Sequence, residues 1–387
     1  MDVRIGIVQS MKEIEVELPD DIDQAAVTVN VEEVLTSQSV LWLTDRKGRR
    51  VGIPASRIAY VEFGAPASER RVGFGISQSV RPPLRQRRLI FVTGKGGVGK
   101  TTMAAAMARV FASEGARVLL CSVDTRSDLA SLFGLDELSF VPHAVDEHLS
   151  VMGMNTEDAL RDYLKLNLRV PLVSKLGPLS AALDFVATAA PGVREILTIG
   201  KICYDVREAR YDVVIVDAPA TGHVVSLLAA PQALQELVRV GLIRGQTEWM
   251  REILADPERT GVVVVTTPEE MPVAETLELL VSLRTKTDVD VAAVILNRTL
   301  PELFTSSDHL ALDLLLADSS WENSSNALID AARVHRQRQL VAHEHIATLR
   351  AGLSSQLALV TQPFVFSAEN ARDLVDVVAQ SLSEELP

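Results

Sequence analysis

Cysteine is nearly absent: Cys121 and Cys203 are the only two in 387 residues. Two thiols so far apart give neither a disulfide framework nor a thiolate metal site, and a reducing cytoplasm is the simplest expected home. An excess of basic charge is also missing. Asp and Glu number 51 against 38 Lys and Arg, a net charge of −13, which excludes a general affinity for nucleic acid or for an anionic membrane. No apolar run is long enough to span a bilayer, and Met1 to Gly6 lacks the apolar core of a signal peptide, so a soluble chain with no direct membrane insertion is expected. His309, His335, His343 and His345 do not have the spacing of a helical ligand pair, which disfavours a metal site there. Disorder is disfavoured too, because 47 % of the residues are hydrophobic and only 23 % charged. The length suggests one large domain with an appendage.

The most informative stretch that is present runs from Leu89 to Thr102. An apolar strand, Leu89-Ile90-Phe91-Val92, ends in the glycine-rich loop Gly94-Lys95-Gly96-Gly97-Val98-Gly99-Lys100-Thr101-Thr102, and an alanine-rich helix follows. Gly94, Gly96, Gly97 and Gly99 let the backbone adopt positive φ and present successive N–H groups to phosphate oxygens. The helix N-terminus adds donors and partial positive charge. Lys100 supplies a full charge for the β- and γ-phosphates, the Thr101 hydroxyl suits Mg²⁺, and Val98 and Thr102 complete the cradle.

Further along, apolar runs end in polar residues. Arg117 to Val123 stops at Asp124, and Tyr211 to Val216 stops at Asp217. An acid at the C-terminal end of a buried parallel strand lies where α/β folds put their chemistry, although a turn or cap aspartate is the plainer reading of Asp124 alone. Asp217 is placed like a Walker B carboxylate holding a Mg²⁺-bound water, and Gly222 lets the following loop move with the γ-phosphate. Residues 146–210 read as mostly helical. The strand from Val291 ends in Asn297, an amide suited to an adenine edge, and Pro363, which ends the last strand, is a further candidate nucleotide-binding residue.

Residues 1–63 read as a small ββαββ unit. Val3 to Val8 and Ile14 to Leu18 alternate as strands, a weak helical pattern follows Pro19, Val40 to Leu43 returns to strand, Asp45 to Gly48 is a turn, and Arg57 to Phe63 closes the unit. Its role is that of an interaction module or a purely structural one. From 64 to 88 a Pro/Gly/Arg linker carries six arginines against the single acid Glu69, and a solvated linker is the reading preferred over a nucleic-acid contact.

The second lysine of the loop, Lys95, resembles that of the deviant P-loop ATPases, and further motifs narrow the resemblance. Gly94 to Thr101, Pro191-Gly192-Val193-Arg194-Glu195, Asp217 to His223, Pro268-Glu269-Glu270-Met271 and Leu296-Asn297-Arg298, in this order, resemble the ArsA/Get3 family over about residues 88–386. Residues 1–63 resemble a small actinobacterial domain of unknown function. The family resemblance implies a doubly wound, mostly parallel α/β sheet of the P-loop NTPase type with a small N-terminal α+β domain, over residues 89–387. It also implies ATP and Mg²⁺, a homodimer that sandwiches the nucleotide, Lys95 acting in trans, Asp124 positioning the attacking water in switch I, and Asp217 to His223 forming switch II.

The departures are informative. The family usually reads Asp-Pro-Ala-His in switch I, and here Thr125-Arg126-Ser127 follows Asp124; switch II has Ala218-Pro219-Ala220 where Thr-Ala-Pro-Thr is usual. The thiolates that capture As(III), the Cys-x-x-Cys of the eukaryotic targeting factors and their long methionine-rich insertion are all missing. The expected activity is therefore Mg²⁺-dependent ATP hydrolysis coupled to a conformational switch on an unknown protein client, including one at a membrane. A nucleotide-gated binding protein or chaperone with little hydrolysis is the alternative, and arsenite pumping is disfavoured.

Overall fold

A computed structural model describes residues 2–7, 13–17, 34, 37, 39–44, 50–55, 58–63, 82–123, 128–168, 192–237, 242–301, 303, 308, 314 and 323–387. The chain divides into two compact units, Met1–Gln78 and Ser79–Pro387. The expected 64–88 linker straddles that division, and its residues 64–81 lie outside the described residues, as does most of the helix expected after Pro19.

Among the described residues the first unit has five strands, where four were expected. β1 (Asp2–Ile7) lies antiparallel between β2 (Glu13–Glu17) and β5 (Ile58–Phe63), while β3 (Val40–Thr44) pairs with β4 (Arg50–Pro54) as a separate ribbon. β4 is hidden in the sequence because Gly52 weakens its strand pattern. The glycine is there for its neighbour: it faces Trp42 across the ribbon, and a Cβ on it would lie 2.6 Å from the indole ring. Arg50 stacks on that same ring, 5.1 Å from its centroid.

The second unit is built on an eight-stranded sheet. In chain order its strands are β6 (Leu89–Gly94), β7 (Val118–Ser122), β8 (His143–Ala144), β9 (Leu149–Gly153), β10 (Val213–Asp217), β11 (Thr260–Thr266), β12 (Val291–Thr299) and β13 (Ala358–Pro363). In space they run β13-β12-β11-β6-β10-β7-β9-β8, and only β8 is antiparallel. β6, β7, β10 and β11 are buried throughout, since helices cover both faces. The stretch 146–210, read as mostly helical, also holds β9, a parallel strand against β7 that the sequence reading did not separate. Five residues in which Ser150 interrupts the apolar run are too short a signal to separate strand from helix.

Alternate residues of β6 feed two cores. Ile90 and Val92 face α1 (Lys100–Ser113), α2 (Leu129–Leu132) and α9 (Ala371–Glu385). Leu89 and Phe91 face α3 (Thr156–Leu168), α4 (Val193–Arg207), α5 (Thr221–Leu237), α6 (Leu242–Ala255), α7 (Glu270–Lys286) and α8 (Asn323–Gly352). The middle of α1, Met103 to Ala108, is buried, with Ala104, Ala105, Ala106 and Ala108 at 0 % exposure between the sheet and α9. Small side chains allow that close approach. From β6 the chain winds outward to β7 and β9, returns to β10, and then builds β11, β12 and β13 on the other side, so it reverses at β6. The crevice above such a reversal is where open α/β sheets bind ligands. Among the described residues no helix is long and apolar enough to cross a membrane.

Candidate functional site

The loop leaves β6 at Gly94, whose φ of 147° is open to glycine alone and whose Cβ would lie 2.1 Å from the Val265 carbonyl oxygen. β11 therefore abuts the loop's first residue. Gly97 and Gly99 also have positive φ, 85° and 94°, and nothing lies within 4 Å of a Cβ built on Gly96 or Gly97. Their concave side is open. α1 then starts at Lys100 with no side-chain cap and no acid in its first turn, so no side chain of its own start competes for its positive end.

A hydroxyl and a carboxylate meet beside this cradle. Thr101 Oγ1 donates to Asp217 Oδ2 at 2.9 Å, although 116 residues separate them. Asp217 is buried at the end of β10, and its carbonyl accepts the Val123 N–H at 3.1 Å. The residue after Val123 is Asp124, which lies outside the described residues. The loop after Asp217 is tied back to β6: Ala218 N–H donates to Val92 O at 3.0 Å and Thr93 Oγ1 to Pro219 O at 2.8 Å. Thr101 and Asp217 are hard oxygen donors side by side, and they fit Mg²⁺.

Both lysines of the loop are engaged. Lys100 Nζ donates to the Lys95 carbonyl at 3.1 Å. Lys95 Nζ pairs with Glu275 on α7. Thr102 follows in the first turn of α1, half-buried.

Asn297, expected at an adenine edge, is 6 % exposed at the top of β12. Its Nδ2 donates to Val98 O at 2.8 Å and its Oδ1 accepts the Arg298 N–H at 2.8 Å. It thus braces the P-loop from behind, and a Cβ on Gly99 would lie 2.6 Å from that Nδ2. An amide has two N–H bonds and two lone pairs, so these two hydrogen bonds use one of each. Arg298, next to it, holds φ at 59°, a conformation uncommon for a residue with a Cβ and frequent at ligand sites. Pro363 ends β13 opposite Thr299, and Gln362, 1 % exposed, lies opposite Asn297. Gly94 to Thr102, Asp217, Asn297 and Pro363 all sit at the C-terminal ends of the strands or directly beyond them.

Sequence reasoning missed Glu275, and placed Thr221 in switch II without its partner. Thr221 Oγ1 donates to Glu275 Oε2 at 3.4 Å. A glutamate in an exposed-to-buried helix such as α7 carries no signal of its own; only folding reveals which loop it faces. Between α5 and α7 lies a cavity of about 610 Å³ lined in part by Thr221, Gly222, Val225, Glu275 and Leu279. The two cysteines are elsewhere and fully buried, and burial pushes both thiols well above the usual range. Neither is poised as a soft-metal ligand.

A phosphate cradle at the reversal of a mostly parallel sheet, with a strand-end aspartate against its threonine, defines a P-loop ATPase. Residues 87–248 and 242–312 match the model of a family described as anion-transporting ATPase, and the chain belongs to that family. Residues 1–75 match a second family, described as protein of unknown function (DUF3107). The chain is 31 % identical to the ATPase BagA of Mycobacterium tuberculosis over 292 residues, 71 % of this chain and 85 % of that protein. It is 27 % identical to the ATPase GET3B of Arabidopsis thaliana, over 64 % of this chain and 75 % of the relative. A Cryptosporidium parvum protein named as an ATPase ASNA1 homolog is 26 % identical over 61 % and 72 %.

Proposed function

We propose that this ATPase works as a Mg²⁺-dependent, nucleotide-sandwich homodimer whose ATP state acts on a protein client. The observation that carries the reading is the Thr101–Asp217 contact beside the glycine cradle. It joins a hydroxyl for the metal to an acid on the neighbouring strand.

In this reading the N–H groups of residues 94–102 bind the β- and γ-phosphates, and Lys100 exchanges the Lys95 carbonyl for a phosphate oxygen. Thr101 and Asp217 would hold Mg²⁺, which would supply positive charge to neutralise the phosphates. Asp124 orients the water for in-line attack and takes its proton, and Asp217 to His223 respond to loss of the γ-phosphate. Asn297 and Pro363 flank the base. Lys95 reaches the nucleotide of the second copy. The buried thiols argue against arsenite as cargo.

Three substitutions test this. Lys100→Ala should lower ATP turnover about 100-fold or more, read as phosphate release. Asp124→Asn should still bind ATP but turn over about 100-fold more slowly, and normal turnover removes Asp124 from its role. Lys95→Ala should abolish ATP-dependent dimerisation in light scattering; full activity in a strictly monomeric enzyme refutes the trans-acting lysine. Protein captured by the ATP-trapped Asp124→Asn chain, with and without residues 1–63, would identify the client and say whether the first unit recruits it.

A further inference from the structure

Lys95 carries a charge on a long flexible stem, and in a single copy of the chain that charge already has a partner. Glu275 Oε1 pairs with its Nζ, and Glu275 Oε2 accepts a hydrogen bond from Thr221. One carboxylate on α7 therefore links the P-loop to the first residue of α5, only four positions after Asp217. Lys95 is held at its other end too, since its carbonyl accepts from Lys100 Nζ. The ion pair is half shielded, with side chains 27 % and 30 % exposed, so it is stronger than a solvated surface pair and still open to exchange.

From this we propose that Glu275 is a positioning residue that holds Lys95 in cis in the lone protomer and releases it to the second copy when the segment carrying Thr221 moves. The inference rests on the trans-acting reading of Lys95. The physical logic is partner exchange. Lys95 cannot serve a nucleotide across an interface while it neutralises Glu275, and a phosphate oxygen is the anion able to replace that carboxylate. Thr221 shares the carboxylate, so a shift of the 218–222 segment alters the hold on Lys95 at the same time. An ammonium suits this role because, as a compact charge with rotatable donors, it changes partners without a fixed fork to break.

Glu275→Gln tests the hold in the full-length protein, keeping the side chain's shape and an oxygen for Thr221 while removing the charge. The first readout is the rate at which Lys95 is acylated by acetic anhydride without nucleotide, followed by peptide mass spectrometry. We expect Lys95 to react about three to ten times faster in Glu275→Gln than in wild type, with other lysines unchanged; an unchanged Lys95 rate overturns the inference. The second readout is the protein concentration giving half-maximal ATP turnover. It should fall about threefold to tenfold in Glu275→Gln with kcat changed less than twofold, and Glu275→Asp should return it towards wild type. The same change of midpoint in a Lys95→Ala background would mean that Glu275 acts without Lys95, which also overturns the inference. If Lys95 acylation responds but wild-type turnover does not depend on protein concentration, the dimer reading fails and the cis hold stands.

Discussion

The two ends of the sheet use cations in opposite ways. At the N-terminal ends of the strands arginines are locked into forked hydrogen bonds. Arg87, whose side chain is fully buried, donates to Thr260 O at 2.7 Å and to Asp290 Oδ2 at 2.6 Å, joining the chain before β6 to the starts of β11 and β12. Arg117 grips both oxygens of Asp212, joining β7 to β10, and Arg85 reaches back to Leu386 O and Ser383 O. In the glycine loop beyond the C-terminal end of β6 the two cations are lysines, and each rests on a group that a phosphate can replace: a carbonyl for Lys100 and a carboxylate for Lys95. A planar guanidinium fixes geometry, whereas an ammonium changes partners. One end is built to stay, the other to exchange.

The largest expected effect breaks the fixed end. Arg87→Ala leaves Asp290 and the Thr260 carbonyl without their guanidinium and opens a void, which should cost about 3–5 kcal/mol in urea unfolding. Turnover per folded molecule should be unchanged, since Arg87 lies at the far end of β6 from the cradle. Loss of specific activity in the folded fraction would erase the distinction between the two ends.

The exchanging end should fail in the reverse manner. Gly99→Ala imposes a left-handed backbone on a residue with a Cβ, about 1–2 kcal/mol, and pushes that Cβ against Asn297. Because the loop's N–H groups shift with it, ATP turnover should drop about 100-fold while unfolding moves less than for Arg87→Ala. Equal stability losses with intact turnover would show that the loop is not held by Asn297.

These two sites were legible to different degrees in the sequence. The cradle could be read from Gly94 to Thr102 because each glycine and lysine there has a local reason, and the strands β6, β7, β10, β11, β12 and β13 announced themselves as apolar runs bounded by polar residues. Arg87 could not be read. Within a run of arginines it looked like part of a solvated linker, and its burial depends on Gly261, 174 positions away, where a Cβ would lie 2.5 Å from the guanidinium. Glu275 and the bracing role of Asn297 were hidden for the same reason: contacts between distant segments leave no local pattern. β9 was lost to its brevity. Asp124, singled out as the acid ending an apolar strand and given its switch I role by the family resemblance, lies outside the described residues.

The smallest effect comes from the exposed fork at the fixed end. Hydrogen bonds from the Arg117 side chain and backbone hold the Asp212 carboxyl down to about 2 from its ordinary 3.8. A depressed carboxylate contributes stability that is present above its unfolded value and lost as pH falls towards the folded one. Asp212→Asn should therefore lower the urea midpoint slightly at pH 6, and the gap from wild type should close as pH falls from about 4 to about 2. The side chains are 55 % and 49 % exposed, so solvent and salt screen the pair, and the gap at pH 6 should shrink further in 1 M NaCl. Arg87, fully buried, should show no such salt dependence. If Asp212→Asn instead cost as much as Arg87→Ala at every pH, the fixed end would owe its strength to the number of its forks and not to the burial of one.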